Sequence, residues 1–186
     1  GEARLPSWRP RILAATPKAE AKALERLRVA QKKDFLELLE AMDGLPVTVR
    51  LLDPPLHEFL PKTEDLLIKQ ATTPLTAEEL KLLEAAEAWH EFNPMLGTRG
   101  VRLGVVKPGL YAMQVRALME AAADRAAKGG KPVVEVMIPL TVSGAELALA
   151  RSWVEEAIAE VGAKAAKGPK GTKQDKIEGT IGRKAG

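Results

Sequence analysis

Apolar and polar positions change period several times along the chain, and those changes predict its elements. Leu24, Leu27, Phe35, Leu38, Leu39 and Met42 recur at largely helical spacing with Lys and Glu between them. Thr16-Pro17 supplies a start, with a hydroxyl for the N-cap and proline at the first helical position, and Gly44 supplies a stop. Residues 1–15 read as irregular chain or the end of a preceding element. Leu45 to Leu52 is a short apolar run with β-branched Val47 and Val49, which predicts a strand. It ends at Asp53-Pro54-Pro55, because successive prolines cannot continue a ladder. Residues 53–75 read as a long connection. Thr76-Ala-Glu-Glu79 is a capping box ahead of Leu80 and Leu83, so a second helix is expected to run to about Trp89.

Asn93 to Gly100 is rich in turn formers, and Val101 to Val106 reads as a second strand. Pro108 opens a third helix with Leu110, Met113, Ala117 and Ala121 on one face and Gly129-Gly130 ending it. Pro132 to Leu140 is the clearest buried strand. Ser143-Gly-Ala-Glu146 is another capping box. It opens a helix with Leu147, Ala150, Val154, Ile158 and Val161 inward and Gly162 as its stop. Helices alternating with three strands imply βαβ crossovers and a parallel sheet, hence an α/β fold. A closed (β/α)₈ barrel needs eight strands and about 250 residues. At 186 residues the chain predicts a small open sheet or a partial barrel of that type.

After Gly162 the periodicity fails. Residues 1–162 therefore read as the α/β domain and 163–186 as a flexible Lys/Gly-rich tail. The net charge of +3 is a property of that tail. It holds seven Lys/Arg against Asp175 and Glu178, a balance of +5, which leaves the body with 21 basic and 23 acidic residues, or −2. The tail has no aromatic residue on which a base could stack, so it reads as solvated rather than as a nucleic-acid arm. With 46% hydrophobic and 28% charged residues, the balance is that of a soluble globular protein. No membrane span or signal peptide is evident, so a cytoplasmic protein is expected. The chain has no cysteine, which excludes disulfides, thiolate metal sites and cysteine nucleophiles. It opens at Gly1 rather than Met, as a processed product or a fragment would.

Arg50 stands near the carboxyl end of the first strand, where α/β sheets place their ligands. The competing reading is an arginine that caps loop carbonyls or pairs with Asp53. Spacing leaves both open.

Two longer stretches carry more. Gly-Leu-Pro-Val-Thr-Val-Arg-Leu-Leu-Asp-Pro-Pro-Leu-His-Glu-Phe-Leu-Pro (44–61) and Asn-Pro-Met-Leu-Gly-Thr-Arg-Gly-Val-Arg-Leu-Gly (93–104) closely resemble the carboxyl-terminal domain of the pyruvate, phosphate dikinase family. Asp34-Phe35, Ala41-Met42, Met113-Gln114-Val115-Arg116-Ala117 and Val136-Met137-Ile138-Pro139-Leu140 support the likeness, which spans roughly residues 11–150. The resemblance implies a (β/α)₈ barrel that binds phosphoenolpyruvate or pyruvate with Mg²⁺. That barrel receives a phosphoryl group from a phosphohistidine domain, itself charged at an ATP-grasp domain. It implies that Arg50 and Arg99 hold the phosphoryl group, with Arg102 and Asp53 in supporting places. Guanidinium forks suit that task, because they bind phosphate bidentately and keep their charge.

The chain also departs from the family. Thr98 stands where the family usually has histidine. The strand bearing a metal-binding glutamate, the Gly-Thr-Asn-Asp segment and the acid cysteine are replaced by the tail. The family's phosphohistidine loop is absent too, and His57 and His90 read as structural or surface residues. No catalytic residue or metal ligand is therefore assigned, and the isolated chain is expected to be inactive. Its partners would be the remaining dikinase domains or a second chain. The alternative is a non-catalytic phosphate-binding or barrel-completing module, since an incomplete barrel leaves strand edges unpaired.

Overall fold

Helix α1 (Pro17–Ala41) leads the described part of the chain into a parallel strand pair. The structure, a computed structural model, describes residues 17–54, 58, 60–88 and 97–167. His57, His90, residues 1–16 and 89–96, and the tail beyond Lys167 lie outside them. The stripe of α1 buries Ala23, Leu27 and Leu39. Its exit turns on Gly44, whose φ of +79° is left-handed and favours glycine. The Gly44 N–H donates to the Lys131 carbonyl at 3.0 Å, and Asp43 accepts from the Lys131 N–H at 2.7 Å. The entrances of two strands are thereby tied together. β1 (Pro46–Arg50) pairs in parallel with β2 (Val133–Met137), Val47 opposite Val134 and Arg50 opposite Met137.

Four helices lie between the strands: α2 (Thr63–Thr72), α3 (Ala77–Ala88), α4 (Val101–Val106) and α5 (Leu110–Ala127). α6 (Gly144–Lys167) follows β2. α5 is buried around most of its circumference, as expected for a central helix, and packs against both α1 and α6. Its Val115, Leu118 and Ala121 meet Leu39, Val47, Val49, Val134 and Val154 in one core. The helices thus cover one face of the sheet. On the other face Thr48, Arg50 and Glu135 are exposed, with the Thr48 hydroxyl donating to Glu135 at 2.6 Å. A smaller cluster, Leu60, Leu66, Leu82, Leu83 and Ala86, holds α2 and α3 together. Among the described residues no helix is long and apolar enough to cross a membrane.

Three expectations are corrected. Val101–Val106 is a helix, so the sheet has two described strands rather than three. Its buried residues are Val101, Leu103 and Gly104, while Val105 and Val106 are each 46% exposed. A strand would have put Val105 on the face of Val101 and Leu103. Gly104 lets this helix approach closely, since a Cβ there would lie 3.2 Å from the rings of Trp153 and Tyr111. Packing has overridden the β-branched composition. Within the expected connection, Thr63–Thr72 is helical, although Lys62 at its N-cap makes no side-chain cap bond that could have announced it. Gly162 does not end α6, because one mid-helix glycine costs only about 1 kcal/mol and Ala163, Ala165 and Ala166 follow it.

Both capping boxes form. Glu146 accepts from the Ser143 N–H and donates its own N–H to the Ser143 hydroxyl, both at 3.2 Å. Glu79 accepts from the Thr76 N–H at 3.0 Å and its N–H reaches the Thr76 hydroxyl at 3.2 Å. A hydrogen bond from Lys69, then those from Thr76, pull the Glu79 carboxyl down from 4.5 to about 2. A depressed carboxylate stabilises the fold above its unfolded value and loses that contribution as pH falls through its folded value. Stability from this box is therefore expected to be full above about pH 4.5 and to fade toward pH 2. Acid titration of Glu79→Gln, followed by circular dichroism, should show that part of the pH dependence flattened. A curve identical to wild type would contradict the assignment.

Candidate functional site

β1 delivers its last residue, Arg50, to the carboxyl end of the sheet. Leu51 extends the ladder by one bond, its N–H donating to the Met137 carbonyl at 2.9 Å. Beyond it the backbone pairs with no described strand, and helix α5 supplies side chains instead. The Leu52 N–H donates to Gln114 Oε1 at 2.9 Å, and the Leu52 carbonyl accepts from the Tyr111 hydroxyl at 3.0 Å. Asp53 comes next, and it is only 5% exposed. Its carbonyl accepts from the Gly100 N–H at 3.1 Å.

That bond brings the 97–100 turn against the end of β1. Gly100 has φ +58°, and its neighbour Val101 donates an N–H to the Pro139 carbonyl at 3.0 Å. A Cβ on Gly100 would lie 2.8 Å from the same Pro139 oxygen, so glycine is needed for both conformation and space. Arg99 is thus fixed immediately beside Asp53.

The Asp53 carboxylate gathers two guanidinium groups. Arg99 grips it with two bonds, Nη2 to Oδ2 at 2.7 Å and Nε to Oδ1 at 3.3 Å. Arg50 Nη2 lies 3.4 Å from the same Oδ2. The Arg99 side chain is 21% exposed and that of Arg50 is 62% exposed, so both open toward solvent while their shared anion is buried. Two cations share that anion, and Glu58 adds a further negative charge that acts on Arg99. The Asp53 hydrogen bonds hold the Arg99 guanidinium above its ordinary range, outweighing the opposing effect of burial. Burial and then the Asp53 charge push the Tyr111 phenol upward.

Of the sequence candidates, Arg50, Arg99 and Asp53 come together at one point. Arg102 is directed to the turn, its Nη1 donating to the Gly97 carbonyl at 3.1 Å. Gly100, Tyr111 and Gln114 hold the group in place and were not singled out as site residues from sequence. Gln114 did carry a signal, as a polar residue on a helix otherwise buried almost all round. Among the described residues no three His, Cys, Asp or Glu side chains cluster to hold a metal ion.

The comparisons with known proteins give this arginine–carboxylate group at the end of a parallel strand a context. Residues 12–174 match the family model described as PEP-utilising enzyme, PEP-binding domain. The chain belongs to that family. Within it, this PEP-binding-domain chain is 45% identical over 159 residues to a pyruvate, phosphate dikinase of Rhizobium meliloti, covering 85% of the chain. It is 44% identical over 163 residues to that of Entamoeba histolytica and 41% identical over 167 residues to the chloroplastic one of Mesembryanthemum crystallinum. The aligned parts are 84% and 86% of this chain. The chain spans 17–18% of the length of these relatives.

Proposed function

We propose that this chain supplies the phosphoryl-holding arginines of a phosphoenolpyruvate- or pyruvate-binding domain. The larger phosphotransferase would be of the pyruvate, phosphate dikinase kind. The supporting observation is the convergence of Arg50 and Arg99 on the single Asp53 carboxylate at the carboxyl end of β1. A phosphoryl group entering from solvent would meet two guanidinium forks already oriented by that carboxylate. Charge on a transferring phosphoryl group is stabilised chiefly by such preorganised cations. Asp53 acts here as the template, and it spares the arginines the cost of being ordered when ligand arrives.

Mg²⁺, which the family implies, does not fit the described residues. The Asp53 carboxylate has both oxygens engaged by arginine, and among the described residues no three His, Cys, Asp or Glu side chains cluster to hold a metal ion. In this reading the metal ligands, the proton donor and the phosphohistidine belong to the rest of the enzyme, and this chain alone does not turn over substrate. The barrel would likewise be completed by further strands. In support, the outer edges of β1 and β2 pair with no other described strand.

Calorimetry with phosphoenolpyruvate tests the binding claim. Hydrogen bonds to charged groups contribute about 1.5–3 kcal/mol, so Arg99→Ala should weaken binding by about tenfold to a hundredfold. Arg50→Ala should weaken it less, because that side chain is more exposed. Equal heats for wild type and both variants would remove the arginines from the site.

A further inference from the structure

Helix α5 reaches the end of β1 through two side chains, and both hydrogen-bond Leu52, the residue immediately before Asp53. Gln114 Oε1 accepts from the Leu52 N–H at 2.9 Å, and the Tyr111 hydroxyl donates to the Leu52 carbonyl at 3.0 Å. Gln114 is 5% exposed and Tyr111 1%, so neither can exchange its partner for bulk water without opening the core. The Tyr111 ring is held edge-on against Trp153, centroids 6.4 Å apart, and this fixes where its hydroxyl sits. After Leu51 the backbone has left the ladder, so the two bonds from α5, with the packing of the Leu52 side chain against the core, hold Leu52 at this point. One residue on, Asp53 carries the carboxylate that both arginines share.

We propose that Tyr111 and Gln114 form a clamp that sets the separation and aim of the Arg50 and Arg99 guanidiniums by gripping the Leu52 backbone. They are positioning residues. Both hydrogen-bond the Leu52 backbone and act on the guanidiniums through Leu52 and Asp53. The inference rests on the phosphate-binding reading of the arginine pair. It extends that reading by placing control of the anion site in the hydrophobic core, about sixty residues along the chain from Leu52.

The test uses the whole chain with Tyr111→Phe, which keeps the ring, and Gln114→Met, which keeps most of the volume but no amide. In arginine-selective NMR of the unliganded protein, both variants should move the Arg99 Nε–H resonance and speed its exchange with water. The bond to Asp53 loosens when Leu52 is released. Phosphoenolpyruvate should bind each variant about threefold to tenfold more weakly, the effect of one hydrogen bond. The double variant should be little worse than the weaker single, because both bonds hold one residue. Variants with a lowered melting temperature but unchanged Arg99 resonance and unchanged affinity would overturn the clamp and leave a purely structural role. Failure of the underlying reading looks different: Arg99→Ala would then bind phosphoenolpyruvate as wild type does, or wild type would not bind it. The NMR measurement decides the clamp in either event.

Discussion

Replacing Asp53 with alanine is expected to lower stability by about 2–4 kcal/mol, because it strips the shared counter-charge from two guanidinium groups. Breaking a fully buried pair costs about 3–5 kcal/mol. The figure here is reduced because Arg99 keeps some solvent and Arg50 a good deal more. The urea midpoint of Asp53→Ala against wild type checks it. The variant should also respond more strongly to inorganic phosphate, since an added dianion would occupy the place of the lost carboxylate between two unpaired cations. Binding to the native state raises the unfolding midpoint by mass action. Phosphate should therefore lift the midpoint of the variant further than that of wild type. A variant within about 0.5 kcal/mol of wild type, or one indifferent to phosphate, would mean that the triad is a surface decoration.

Gly100→Ala is expected to be nearly as costly, and for a different reason. Its backbone sits at φ +58°, where an L side chain costs about 1–2 kcal/mol. The new methyl would also lie 2.8 Å from the Pro139 carbonyl oxygen and 2.9 Å from the Leu140 Cβ. Leu140 cannot give way freely, because it already holds a positive φ of 55°. Together these predict a loss of about 2–4 kcal/mol. The same movement would carry Arg99 off Asp53, because the Gly100 N–H holds the Asp53 carbonyl. Denaturant unfolding should register the first effect and weakened phosphoenolpyruvate binding the second. Normal stability in this variant would show that the 97–100 turn is softer than its contacts imply.

Local chemistry made much of the fold readable from the sequence. The Thr76–Glu79 and Ser143–Glu146 boxes, the Gly44 turn and the Leu110–Met113–Ala117–Ala121 face are each decided within a few residues, and each stands where its pattern put it. What misled was decided at a distance. Val101–Val106 has the composition of a strand, yet Gly104 must pass against Tyr111 and Trp153, which only a helix with its glycine inward achieves. Thr63–Thr72 begins without a side-chain cap and derives its order from packing on α3. The candidate site divides in the same way. Arg50 and Arg99 stood out by the wording of their motifs, and Asp53 by its place beside Arg50. That one carboxylate would receive both guanidiniums depends on the Gly100–Asp53 bond across 47 residues, which no local spacing encodes. Tyr111 was hidden for the same reason, being an ordinary member of a core-facing helix until the end of β1 is laid against it, and the polar Gln114 on that helix marked itself without naming its partner.

A crystal structure of the chain with phosphoenolpyruvate bound tests the joint anion site most directly. The expected result places phosphoryl oxygens about 2.7–2.9 Å from nitrogens of both Arg50 and Arg99, with Asp53 still bonded to Arg99. Ligand bound elsewhere, with both guanidiniums still turned onto Asp53, would contradict the proposal.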